Sequence, residues 1–201
     1  MDEFTTFDEH FFRIHSAIET FGFFTMAVRA TTTRPPWAYS IGFLEVGQPE
    51  VVVVGLHAGS AHQLICWAYH EMTHHGPVEL GRQHTRPFVN GAGDELPLAV
   101  LPVPDVQWEH PSDLTLHMRV YYEARGGYPC EPRVCQVVWP DEDGRLPWDP
   151  GCDATVRAEQ LLLDAAPWEE DRGECTCGPW CDMWEGQRNP TRPHRRRWHR
   201  R

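Results

Sequence analysis

Trp37-Ala38-Tyr39-Ser40-Ile41-Gly42-Phe43 and, a few residues on, Pro49-Glu50-Val51-Val52-Val53-Val54-Gly55-Leu56 read as two strands. The four valines show no polar alternation, so this strand is covered on both faces and lies centrally in its sheet. In the first segment, alternation puts Trp37, Tyr39, Ile41 and Phe43 on one face and Ala38, Ser40 and Gly42 on the other. One face is aromatic and the other small. A small face lets a helix or a flat ligand approach closely, which makes Ser40 and Gly42 a candidate floor for a pocket, with Tyr39 and Glu50 as its polar groups. The competing reading is structural: Gly42 permits close packing and Tyr39 is a half-buried strand aromatic.

Working outward, Thr6 with Glu9 fits a capping box, and Phe7, Phe11, Ile14, Ala17 and Ile18 follow at helical spacing until Gly22 closes the segment. Residues 23–30 read as a strand and residues 31–36, with their Pro-Pro pair, as a loop. Residues 58–75 form a second helix ended by Gly76-Pro77. Residues 77–80, 96–103 and 133–139 are further short strands, and a helix capped by Ser112 or Asp113 runs to Arg125 before Gly126-Gly127. The expected fold is α+β: a mixed, mostly antiparallel sheet flanked by two or three helices. A split barrel is the competing use of the same strands. Residues 1–167 are expected to make one domain and residues 168–201 a Cys-rich, then Arg-rich, flexible tail, with a short Leu-rich segment at 159–166 packing on the domain.

A second segment completes the pattern: Val134-Cys135-Gln136-Val137-Val138-Trp139-Pro140-Asp141-Glu142-Asp143-Gly144-Arg145-Leu146-Pro147-Trp148, continuing to Gly151. Taken with the Tyr39-Ser40-Ile41-Gly42 strand and the Pro49-Glu50 apolar strand, it resembles the bacterial family known as domain of unknown function 4262, over roughly residues 20 to 151. The resemblance implies no activity. Read by its own residues, the Trp139–Trp148 segment has the composition of a hairpin loop, with Asp143-Gly144 supplying a positive φ and two tryptophans framing the turn. Its three consecutive acids suit a hard cation only if their oxygens converge, and adjacent side chains diverge. Trp37, Tyr39, Ser40, Gly42, Glu50, Trp139 and Trp148 are thus the binding-pocket candidates.

His70-Glu71-Met72-Thr73-His74 matches the His-Glu-x-x-His pattern of zinc metallopeptidases, in which the two imidazoles bind the ion and the carboxylate is the general base. A shuffle of this composition produces the pattern roughly once in twenty chains, so its context must decide. Ala61, Leu64, Ile65, Ala68 and Met72 share one helical face, and at about 100° per residue His70 and His74 point away from it toward solvent. A catalytic zinc helix turns its two His toward a cleft and needs a third ligand. No Gly-rich phosphate loop, nucleophile elbow, paired glycosidase carboxylates or phosphate-binding basic cluster is readable in the body.

The 201-residue chain carries 18 Arg, no Lys, and 29 acidic residues. Seven of the Arg fall in residues 188–201, which leaves residues 1–187 with 11 Arg against 29 carboxylates, a formal −18. An acidic body repels phosphates, so nucleic acid is a partner only through the tail, where Arg195, Arg196, Arg197, Trp198, Arg200 and Arg201 combine charge with a stacking ring. The alternative is a solvated tail docking on an acidic body. The N-terminus shows neither a basic start nor an apolar run, so no membrane is expected and the cytoplasm is. Seven cysteines without a secretion signal read as thiols or metal ligands. Cys175, Cys177 and Cys181, with Cys152, His194 or His199 as a fourth ligand, could wrap a Zn ion; otherwise they are reduced thiols.

The residues thus lead first to a non-catalytic module binding a protein or small molecule, with Zn optional in its tail. The alternatives are a small-molecule enzyme with a pocket near Tyr39, Ser40 and Glu50, and a zinc metallohydrolase built on His70, Glu71 and His74.

Overall fold

The valine strand does sit inside a sheet covered on both faces. In a computed structural model, which describes residues 3–81, 88–89, 93, 95–105, 113–131 and 133–164, it is β3 (Glu50–Val54), fully buried along its length. Burying each Val side chain stabilises the chain by about 1.5–3 kcal/mol relative to leaving it in water. Five strands make the main sheet in the order β1 (Phe24–Val28), β2 (Trp37–Ile41), β3, β7 (Val134–Val138), β6 (Ala99–Val103). The β1–β2, β2–β3 and β6–β7 pairs are antiparallel and β3–β7 is parallel. β4 (Phe88–Val89) and β5 (Glu95–Leu96) pair with each other separately. The fold is α+β with an open mixed sheet, and the split barrel is not formed: among the described residues β1 and β6 are its two edges. Pro102, which has no N–H to donate, lies on edge strand β6, where a proline is tolerated.

Helices cover both faces. On one, α1 (Glu3–Phe21) and α3 (Leu116–Ala124) pack Ile14, Ile18, Met118, Tyr121 and Tyr122 against Trp37, Tyr39, Ile41, Val52 and Val54. On the other, α2 (Ala58–His74) packs Ala61, Leu64, Ile65, Ala68 and Met72 against Ala38, Val51, Val53, Cys135 and Val137. A smaller cluster of Ala99, Leu101, Val138 and Leu146, with Trp148 and Leu162, fills the β6–β7 side.

Several local expectations need correction. α1 begins at Glu3, so Thr6 lies inside the helix rather than at its cap. Residues 77–80 form no strand; Pro77 has no N–H to pair, and only Gly81 reaches the sheet, donating its N–H to Val100 O at 2.8 Å. Pro97 divides the expected 96–103 strand into β5 and β6. Phe43 does not continue the aromatic face of β2. Gly42, at φ +122°, turns the chain into a 3-10 turn (Phe43–Val46) and sends Phe43 to the α2 side.

The Trp139–Trp148 segment is not a hairpin loop, because no described strand follows it. It closes on itself instead: Asp141 accepts N–H bonds from Asp143 (3.0 Å), Arg145 (2.8 Å) and Asp153 (2.9 Å), with Gly144 at φ +77°. These backbone bonds, that of Arg145 foremost, hold the Asp141 carboxyl below the usual carboxylate range. The chain then enters a short helix, α4 (Ala154–Glu159), and residues 160–163 lie against β7 and Trp139. Two glutamines pin it there. Gln136 donates to Leu161 O (2.8 Å) and accepts from Leu163 N (2.8 Å), while Gln160 donates to Trp139 O (2.7 Å) and accepts from Trp139 N (3.0 Å). Each side-chain amide thereby satisfies one backbone N–H and one backbone C=O. The boundary expected at Pro167 lies outside the described residues.

Candidate functional site

Glu50 opens β3 beside the turn made by Gly42, and the residue is 1% exposed. Burying a carboxyl demands partners, and four neutral donors supply them. Oε1 accepts from the Tyr122 hydroxyl at 2.7 Å, from Gly42 N at 2.9 Å and from Leu44 N at 3.3 Å. Oε2 accepts from the Ser40 hydroxyl. Ser40 Oγ in turn accepts from Val51 N at 2.8 Å, taking the place of a backbone acceptor where the β2–β3 ladder stops. The Gly42 N–H is shared with the Tyr122 oxygen at 3.0 Å.

Burial pushes the Glu50 carboxyl up, and the hydrogen bonds from Ser40, Tyr122, Gly42 and Leu44 pull against that without reversing it. Burial, then the charge of Glu50, raises the Tyr122 phenol, and the same two causes push the Cys135 thiol up to about 12. Both are neutral at ordinary pH. Gly42 has no room for a side chain: an added Cβ would lie 2.9 Å from Gly22 O and 3.0 Å from Ile18 Cγ1. The node therefore ties the end of β2, the 3-10 turn, the start of β3 and helix α3 at one point in the core.

Of the pocket candidates, Tyr39, Ser40, Gly42 and Glu50 are neighbours, and they are buried with Trp37 rather than lining an exposed cleft. The Tyr39 hydroxyl accepts from the His117 backbone N–H and lies 3.1 Å from His117 Nδ1. The His117 imidazole is pulled down to about 4, by burial and then by His10, so it is neutral at neutral pH. Trp37 Nε1 donates to Leu114 O at 3.2 Å. Trp139 and Trp148 are not brought to this place. Trp139 packs in the α2-side core and donates to Val54 O at 3.0 Å, and Trp148 joins the small cluster beside β6 and β7.

On α2, His70 and His74 are exposed and the apolar face is buried as the helical phase requires. Their rings stack with centroids 4.5 Å apart. His70, Glu71 and His75 bring one ligand atom each within 4.8 Å of one another. About two turns earlier, His62 lies 2.8 Å from Thr25 Oγ1 and 3.4 Å from Cys66 Sγ, whose thiol is raised by burial. Cys152 is buried in the core of its turn. Cys175, Cys177 and Cys181, together with His194, His199 and the Arg-rich tail, lie outside the described residues.

Tyr122 and His117 are the site residues that the sequence reading missed. A signal existed for Tyr122: Leu114, Met118 and Tyr122 recur at helical spacing, so the phenol was bound to be buried and its hydroxyl to need a partner. Which partner was not legible, because Tyr122 and Glu50 are 72 residues apart.

Compared with known proteins, the chain matches a family model described as "Domain of unknown function (DUF4262)" over residues 17–153. No curated protein and no solved structure matches it.

Proposed function

The chain belongs to the DUF4262 family, and from that premise we propose that its domain is a non-catalytic binding or interaction module rather than an enzyme. One observation carries this reading. The polar groups of the family-like segments, Ser40, Gly42 N–H and Glu50, spend their hydrogen-bonding capacity on one another and on Tyr122 inside the core. A catalytic carboxyl needs an oxygen within reach of a substrate proton. Glu50 has four neutral donors around it and 1% exposure, which suits a group that fixes a backbone turn. Recognition then falls to the outer surface. With its formal charge of −18 over residues 1–187, that surface favours a cationic or neutral partner and repels polyanions.

The test is Glu50→Gln in the full chain. One oxygen is replaced by an NH2 group, so the Ser40 hydroxyl loses its acceptor, and the unfolding free energy is expected to fall by about 1–3 kcal/mol. A pocket enzyme makes the opposite forecast: unchanged urea unfolding, with loss of whatever turnover a substrate screen detects in the parent chain. That result would overturn the proposal.

A further inference from the structure

The last turn of α2 presents three imidazoles and a carboxylate, and we propose that His70, Glu71 and His75 form a reversible surface site for a divalent transition-metal ion, Zn2+ foremost. Glu71 is the centre of the group: its Oε1 lies 3.9 Å from His70 Nδ1 and 3.9 Å from His75 Nε2. All three ligand atoms fall within 4.8 Å of one another. A tetrahedral ion with ligands at about 2.0–2.1 Å has ligand-to-ligand edges of about 3.4 Å, so closing on an ion needs each carboxylate–imidazole gap to shrink by roughly half an ångström and the imidazole–imidazole gap by up to about 1.4 Å. The exposure of the side chains, 61% for His70 and 43% for His75, gives both rings the freedom to make that movement. Glu71, at 14%, is the fixed member.

The place suits a cation. His75 is the C-cap residue of α2, and its N–H donates to Glu71 O at 2.9 Å, so the group sits at the negative end of a five-turn helix. Two imidazoles with one carboxylate select Zn2+, Ni2+ or Cu2+ over Mg2+ or Ca2+, which prefer all-oxygen ligands. Three protein ligands leave one position open to solvent, so the bound ion exchanges its fourth ligand.

This site is not the His-Glu-x-x-His arrangement of a metallopeptidase. His74 is engaged elsewhere: its Nδ1 lies 2.9 Å from Thr73 Oγ1 and 3.1 Å from His70 O. Its ring is stacked on His70 with 17° between the planes, and the ligand atoms that converge among the described residues are those of His70, Glu71 and His75. The ligand pattern is therefore positions 1, 2 and 6 of His70–His75, in which Glu71 is a ligand and not a base. The site is independent of the Glu50 node and of the module reading.

The experiment uses the full chain carrying Cys175→Ser, Cys177→Ser and Cys181→Ser, so that tail thiols do not compete, stripped of metal and titrated calorimetrically with ZnCl2 and then MgCl2. One equivalent of Zn2+ and no Mg2+ is expected. Glu71→Gln and His75→Ala should each weaken Zn2+ binding at least about tenfold, whereas His74→Ala should change it by less than about threefold. Absence of Zn2+ binding overturns the site, as does binding that survives Glu71→Gln and His75→Ala. An equal loss in His74→Ala overturns the ligand assignment. Imidazole NMR signals of the parent protein provide a check that needs no variant at those positions: Zn2+ should shift His70 and His75, and a response confined to His70 and His74 refutes the proposal.

Discussion

Tyr122→Phe removes a single oxygen atom from the core and leaves the ring in place, so it isolates the phenol's role at the Glu50 node. The lost bond is 2.7 Å long, fully buried and made to a carboxyl group; the same oxygen lies 3.0 Å from the Gly42 N–H. A hydrogen bond to an ionised acceptor is worth about 1.5–3 kcal/mol and one between neutral groups about 1 kcal/mol. Which value applies depends on whether Glu50 is ionised, and pH decides that. Because burial raises the folded carboxyl above its unfolded value, the folded chain keeps a proton that the unfolded chain releases above about pH 4.3. The contribution of Glu50 to stability is therefore greatest below that pH, declines as pH rises toward the folded value, and levels off beyond it. Loss of the Tyr122 donor raises the folded value further and extends the decline. Urea unfolding followed by tryptophan fluorescence should then show Tyr122→Phe costing about 1 kcal/mol at acid pH and approaching about 2–3 kcal/mol in the alkaline range, with an unchanged m-value. For a domain of this size, a loss of 2 kcal/mol lowers Tm by roughly 4–8 °C. A cost below about 0.5 kcal/mol at every pH, or a cost that shrinks as pH rises, would refute the argument that Tyr122 supports a buried carboxyl.

Gly42→Ala should be more damaging than Tyr122→Phe in the same titration, since it combines a strained φ of +122° with a Cβ placed 2.9 Å from the Gly22 carbonyl; a loss equal to or smaller than that of Tyr122→Phe would argue against the close approach of α1. His117, pulled down to about 4 in the fold, stays neutral where the unfolded chain takes up a proton, so stability should fall as pH drops from about 6.5 toward about 4. His117→Gln should flatten that decline, the remainder coming from His10, which is also lowered. Asp141 is held low by its backbone N–H bonds, so its contribution is present above about pH 3.9 and is lost as pH falls through the lower folded value. Asp141→Asn should remove that acid-side loss and, by weakening the acceptor for the Asp153 N–H, speed amide hydrogen exchange across residues 153–163; unchanged exchange there would show that Asp141 does not anchor α4.

The valine run, the alternating β2 segment and the α2 phase were each legible because helix and strand periods are local properties that survive without knowledge of the partner. The same holds for the family: the matched segments are contiguous motifs. Legibility failed where a single residue redirected the chain. Gly42 at positive φ ended β2 early and moved Phe43 across the sheet, and Pro97 split a strand, although both residues were in plain view. Among the site residues, Tyr39, Ser40, Gly42 and Glu50 were identified as a group, but their surroundings were not. Ser40 and Glu50 are polar, and a polar residue in a strand is ordinarily read as facing water; here each is buried because a partner distant in sequence satisfies it.

By itself the sequence determined the α+β class, the central position of β3, the family, and the solvent-facing phase of His70 and His74, all of which follow from hydrophobic period and short motifs. Only the tertiary structure decided that Tyr122 of α3 meets Glu50 of β3, that Gln136 and Gln160 strap the 160–163 segment to the sheet, and that His75 rather than His74 converges with His70 and Glu71. The physical reason is one of scale: periodicity fixes which way a side chain points along its own element, whereas hydrogen-bond and ligand geometry is set to fractions of an ångström by how separate elements pack.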